Sequence, residues 1–278
     1  MKLKILLHLL LVSMVMLSCK KETVIQPDTL LPEYTLPQGN HDYDTRIVNF
    51  KNKYGCYILY KFTDKDFQWN ITNLIPYVAD QGDENYITPA LNALDTYLFH
   101  YYSDSFLKLA LPYKIILSAR IRKVDPSSKD TLETPLSSVS SFSHFAFGHA
   151  SSRLATLSAD ELKQMKADLH TEFWNQAVGT GKVEIPPIFA KSTDYMQVGS
   201  WNEKNYGVLG ESTTGYTVYS DFAGYIQLIA SNTASQLEQT LFLPENDPNG
   251  KYRLKYNAIV NYYKATYGID LQAIGADQ

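Results

Sequence analysis

One stretch, Ser138–Leu154 (S-V-S-S-F-S-H-F-A-F-G-H-A-S-S-R-L), constrains the fold of this chain more than any other. Read as a helix, it places Phe142, Phe145, Ala146, His149 and Arg153 on one face, because residues three and four apart are neighbours there. Its pentapeptide F-A-F-G-H then has the setting of H-E-x-x-H. In that motif two histidines four apart reach one zinc ion, and the Glu beside the first activates water. Here Phe145 stands at the first ligand position and Ala146 at that of the base, and only His149 remains.

The N-terminus bears on location. Lys2 and Lys4 precede the apolar run Ile5–Leu17. That run is shorter than the roughly 20 residues a membrane-spanning helix needs, but it suits a signal peptide. It ends M-L-S-C, a small residue directly before Cys19, and a polar segment follows at once. This resembles a bacterial lipobox, with residues 1–18 as leader and Cys19 as the lipidated residue. Several acyl chains would anchor the protein stably where one would not. Residues 19–41 carry Pro27, Pro32 and Pro37 with little apolar periodicity, so they read as a flexible tether. Residues 42–278 read as a single domain. Cys56 would be the one thiol left; it sits in C-Y-I-L-Y-K-F and reads as a small buried hydrophobe. The formal net charge is −4, and the leader would take only positive charge with it. Without basic blocks, this excludes the electrostatic footprint of nucleic-acid binding.

Along the domain, Asp44–Lys53 reads as a helix closed by Gly55, Cys56–Phe62 as a strand, and Asp64–Glu84 as mostly irregular. Ile87–Phe106 reads as one long helix and Tyr113–Val124 as a second strand, followed by a polar loop at Pro126–Pro135. Ser158 with Glu161 three residues on is a capping box that opens a helix to about Gln176. Residues 180–214 are loop-rich. Val218–Ala230, Ser235–Leu243 and Tyr252–Tyr267 read as helices, the last capped by Gly268. Helices outnumber strands and the strands come early, which defines an α+β class.

In this order of elements the chain resembles the substrate import-associated zinc metallohydrolase lipoproteins. The features that carry the resemblance are the leader ending at Cys19, the passage Y-G-C-Y-I-L-Y-K-F, and the strand before the central stretch. To these are added G-Y-T-V-Y-S-D-F-A-G-Y-I and Y-Y-K-A-T-Y-G-I-D-L further on. The resemblance implies a mostly helical, zincin-like metallopeptidase scaffold with a small sheet near the N-terminal side. It also implies a place on the outer membrane, with a TonB-dependent importer and its substrate-binding lipoprotein as partners. The face of the membrane is left open.

The resemblance also implies a zinc site, which this chain lacks in most of its parts. The two histidines and Glu of the family's motif map to Phe145, His149 and Ala146. Its later acids, in E-D-F-A-E, map to Ser220 and Gly224, with Asp221, Phe222 and Ala223 between them. His144 is no substitute, because five residues on a helix turn through about 140°. The expectation is therefore no catalytic residue, no cofactor, and His149 as the vestige of a metal ligand or a plain core histidine. The chain would be an inactive accessory or binding component. The alternative is an active zinc hydrolase with a displaced metal site. Other features are weaker. G-E-S-T-T-G at Gly210–Gly215 has the wrong spacing for a nucleophile elbow, and His170 and Glu172, two apart, face different ways. Trp174 reads as core, and Trp201 and Tyr206 as loop aromatics open to a ligand.

Overall fold

A single long strand organises the first half of the chain. In the computed structural model, which describes residues 34–68, 77–125, 127–128, 130–210 and 215–277, this strand is β3, Lys114–Val124. Its first half lies between β1 (Tyr57–Leu59) and β6 (His144–Phe147), parallel to both. Its second half lies between β2 (Tyr77–Gln81) and β4 (Thr131–Leu136), antiparallel to both. A short β5 (Ser138–Ser140) adds to β6 and completes a mixed sheet of six strands. The run K-I-I-L lies in this central strand, where Ile115, Ile116 and Leu117 are fully buried. A continuous apolar run is what a strand covered on both faces requires.

Helices supply the rest. They are α1 (Asp42–Tyr54), α2 (Asp64–Gln68), α3 (Ile87–Tyr97) and α4 (Asp104–Ala110) before the sheet closes. After it come α5 (Ala159–Gly179), α6 (Pro187–Lys191), α7 (Glu203–Tyr206), α8 (Val218–Ser231), α9 (Ala234–Gln239), α10 (Lys251–Tyr267) and α11 (Leu271–Ala276). The α+β class is as expected, with every described strand before residue 148. Trp174, Phe173, Phe222, Tyr225 and Tyr263 are fully buried in the main core, on the sheet face that also takes Phe145 and Phe147. Ile116, Ile121, Val139 and Ala146 form a smaller core with Phe67 on the other face. Residues Leu36–Gln278 make one compact unit. The leader, Cys19 and most of the tether lie outside the described residues.

Several expectations are corrected. Ser138–Leu154 is no helix: it forms β5, β6 and a 3-10 turn at Ser152–Thr156. The reason is its period. In H-F-A-F successive side chains enter opposite cores, Phe145 and Phe147 one and Ala146 the other, the two-residue alternation of a strand. Gly148 then allows a close approach, since a β-carbon there would lie 2.3 Å from the Leu136 carbonyl oxygen. The long helix expected over Ile87–Phe106 is interrupted by a 3-10 turn at Phe99–Tyr101 and restarted by Ser103, whose hydroxyl accepts the Phe106 N–H at 3.3 Å. The polar loop expected over Pro126–Pro135 includes β4, in which Pro135 is tolerated because the strand pairs only with β3. β2 likewise lies in the segment read as irregular. The capping box of α5 and the left-handed Gly55 and Gly268 caps stand where the sequence placed them.

Candidate functional site

A cleft of about 870 Å³ lies between α5 and α8. Both helices are fixed at their starts. Ser158 and Glu161 exchange hydrogen bonds at the start of α5. Thr217 and Ser220 do the same at the start of α8, where the Ser220 hydroxyl accepts the Thr217 N–H at 3.0 Å and the Thr217 hydroxyl accepts the Ser220 N–H at 3.1 Å. Each helix buries one face. On α5, Leu169, His170, Phe173 and Trp174 enter the core; on α8, Phe222, Tyr225, Ile226 and Ile229 do. The opposite stripes, Gln164, Thr171, Glu172 and Asn175 on α5 and Ser220, Ala223, Gly224 and Gln227 on α8, line the cleft. Both stripes follow helical spacing.

The stripe on α5 has the form T-E-F-W-N. Thr171, Glu172 and Asn175 stand at the i, i+1 and i+4 places that H-E-x-x-H fills with ligand, base and ligand. This pattern lies on a real helix and faces Ser220 and Gly224. Phe145, Ala146 and His149, the residues first aligned with the motif, do not line this cleft.

A hydrogen-bonded floor joins the two helices. The Thr171 hydroxyl donates to Gln227 Oε1 at 3.0 Å, and Gln227 Nε2 donates to Asp168 Oδ1 at 3.2 Å. Gln164 Nε2 reaches the same oxygen at 2.8 Å. Glu172 accepts from the Ser140 hydroxyl, at the end of β5, at 2.6 Å. Burial pushes the Glu172 carboxyl above its ordinary pKa, and the charge of Asp168 adds to the rise.

The wall at Gly224 is backbone. A β-carbon on Gly224 would lie 2.8 Å from the Gly210 nitrogen and from the Leu209 carbonyl carbon. The segment Gly207–Gly210 is held in that place from below. The Leu209 N–H donates to Asp221 at 2.7 Å. The Gly207 carbonyl accepts from Tyr225 at 2.7 Å and from Lys255 at 3.0 Å. Asp221 itself is fully buried, paired with Lys255 at 2.6 Å and bonded by the Tyr195 hydroxyl at 2.7 Å. Gly210, at φ +91°, lies so close to α8 that a β-carbon there would be 2.5 Å from the Ser220 carbonyl. Only glycine adopts such a conformation without strain.

These donors do not fit zinc. A catalytic zinc site takes three nitrogen, sulfur or carboxylate ligands. The cleft offers a hydroxyl at Thr171, a carboxamide at Asn175 and no side chain at Gly224. Among the described residues no group of three or more His, Cys, Asp and Glu is placed to hold a metal ion.

The other sequence candidates are apart from the cleft. His149 is buried against Phe147, with ring centroids 5.7 Å apart, and neither ring nitrogen has a hydrogen-bond partner. Burial, with Arg153 nearby, lowers its pKa to about 4. His144 packs on Phe67 in the smaller core and bonds Ser141 Oγ at 2.7 Å, so the two imidazoles lie toward different cores and share no metal point. Burial, assisted by Lys114, takes the His144 pKa to about 3. His170 turns inward to the Tyr102 hydroxyl at 2.7 Å while Glu172 faces the cleft, the divergence expected of residues two apart. Cys56 is buried and its thiol is pushed up to about 12 by desolvation, as befits a core residue. Trp174 is core. Trp201 is 84% exposed and Tyr206 half-buried, and neither lines the cleft. The central residues of G-E-S-T-T-G lie outside the described residues.

The sequence reading missed Thr171, Asn175 and the role of Glu172 because it followed the surviving histidine. The signal available was a Glu flanked by small polar residues at i−1 and i+3 on a capped helix.

No family model matches this chain. No curated protein matches it either. Among solved structures it is similar to one described as "a putative zinc-binding metallo-peptidase from Bacteroides caccae". The sequences are 13% identical, the TM-score is 0.47, and the match covers 83% of this chain and 87% of that one.

Proposed function

We propose that this chain is a lipid-anchored binding protein whose metallopeptidase-like cleft has lost its hydrolytic chemistry. The observation that carries the reading is the α5–α8 cleft, where Thr171, Asn175 and Gly224 stand in the places of metal ligands. Glu172 keeps the place of the general base, but a carboxylate activates water effectively only when a metal or strong electrostatic partner holds that water. The signal-like segment 1–18 and Cys19 support an anchor on the outer membrane. The resemblance in element order supports an accessory or binding role beside a TonB-dependent nutrient importer and its substrate-binding lipoprotein.

The test combines a metal assay on the purified chain with capture of partners from native outer membrane. The reading expects no zinc bound through the cleft, no chelator-sensitive hydrolysis, and recovery of a TonB-dependent importer. A stoichiometric zinc lost on Asn175→Ala would overturn the non-hydrolytic part. Full recovery of the protein in the soluble fraction, with Cys19 unmodified, would overturn the anchor.

A further inference from the structure

The α5–α8 cleft has a one-sided charge. Glu172 is the one ionisable side chain in its described lining; the remainder are amides, hydroxyls and small or aliphatic groups, with no Lys, Arg or His among them. Asp168, behind the floor, adds negative charge and is already engaged by the amides of Gln164 and Gln227. The nearest hydrogen-bonding support for Glu172 is Ser140, a neutral residue. A carboxylate drawn partly out of water with a neutral partner and a second acid nearby lacks a counter-charge. Asn175, three residues further on α5, adds its carboxamide to the same lining. Space is sufficient, since about 870 Å³ is the size of a small-molecule cleft. Gly210, Ala223 and Gly224 give one wall small groups only, with the two glycines packed against neighbouring main chain. Anions would meet no positive group in this space.

We propose that this cleft binds a small organic cation, a primary ammonium or a guanidinium group, with Glu172 as its counter-charge and Asn175 beside it as a hydrogen-bonding group. The proposal rests on the reading of the cleft as a binding groove, but it is decided by charge selectivity and not by metal content. Burial and Asp168 raise the Glu172 pKa, and a bound cation acts in the opposite sense. Glu172 senses the charge of Asp168 on the same helix, and Tyr77 on β2 senses that of Glu172.

The experiment is calorimetric titration of the full chain with three probes of similar shape: N-acetyl-lysine N-methylamide, N-acetyl-arginine N-methylamide and the neutral N-acetyl-norleucine N-methylamide. We expect at least one cationic probe to bind about tenfold or more tightly than the neutral one. Which cationic probe binds better assigns ammonium or guanidinium. Glu172→Gln should abolish the preference while leaving the circular dichroism unchanged. Ser140→Ala, which keeps the charge and removes its neutral partner, should retain it. The proposal is overturned if the neutral probe binds equally well, if the preference survives Glu172→Gln, or if neither cationic probe binds at millimolar concentration. A zinc ion in the cleft would instead overturn the non-hydrolytic reading.

Discussion

Gly224 and Leu209 touch where a side chain would have to pass: a β-carbon on Gly224 would sit 2.8 Å from both the carbonyl carbon and the β-carbon of Leu209. The acid that the resemblance implies at this position would therefore have to displace a stretch of backbone. That backbone is held by Asp221 through the Leu209 N–H at 2.7 Å. Reversal of one residue would not rebuild a metal site here.

Gly224→Ala separates two opposing effects. In an exposed helix interior, alanine would gain about 1 kcal/mol over glycine. Overpacking against fixed main chain costs about 1–3 kcal/mol. We expect the clash to win, with a lowered midpoint in thermal or urea unfolding, and Gly224→Glu to be worse. An alanine variant more stable than the parent would show that Gly207–Gly210 is not held as described.

The Asp221–Lys255 pair, with both side chains fully buried, should be costly to halve. Asp221→Asn leaves the Lys255 ammonium without its counter-charge and weakens the hold on the Leu209 N–H. Removing one partner of a buried pair costs about 3–5 kcal/mol. A double-mutant cycle with Lys255→Met, read by chemical denaturation, should show strong coupling. Additive single effects would contradict it.

Acid should destabilise the fold through its buried histidines. The His149 pKa falls from 6.5 to about 4 on folding. The unfolded chain therefore binds its proton first as pH drops. The stabilisation from the neutral imidazole is complete above 6.5 and is lost progressively as pH falls toward about 4. His149→Leu should reduce the loss of unfolding free energy between pH 7 and pH 5, as followed by urea titrations at each pH. An unchanged pH slope would show that His149 is already charged or solvated in the native state.

Much of the architecture was legible in the sequence. The capping box at Ser158–Glu161, the Gly55 and Gly268 caps and the core strand K-I-I-L depend on neighbours within a few residues, and each formed as read. What failed depended on distant partners. Phe142, Phe145 and His149 have spacing compatible with a helix, and it takes β3 and β5 on either side of H-F-A-F to select its competing two-residue alternation. The site was hidden for the same reason. Thr171 and Asn175 carry no metal-ligand chemistry of their own, and only the packing of α8 against α5 places Ser220 and Gly224 opposite them.

The strand assignment has a direct test. Phe145→His with Ala146→Glu would write H-E-x-x-H into residues 145–149 by letter. Because Phe145 and Ala146 are fully buried in two different cores, the pair should cost more than about 3 kcal/mol, through a lost aromatic and a buried acid. Unfolding at lower denaturant is expected, without zinc uptake. A stable, zinc-binding double variant would restore the helical reading.

Whether the α5–α8 cleft works without a catalytic metal is tested most directly by measuring zinc per chain in the purified protein and in its Thr171→Ala, Asn175→Ala and His149→Ala variants. We expect the same sub-stoichiometric zinc in all four. One zinc per chain in the parent, lost in any of the three variants, would contradict it.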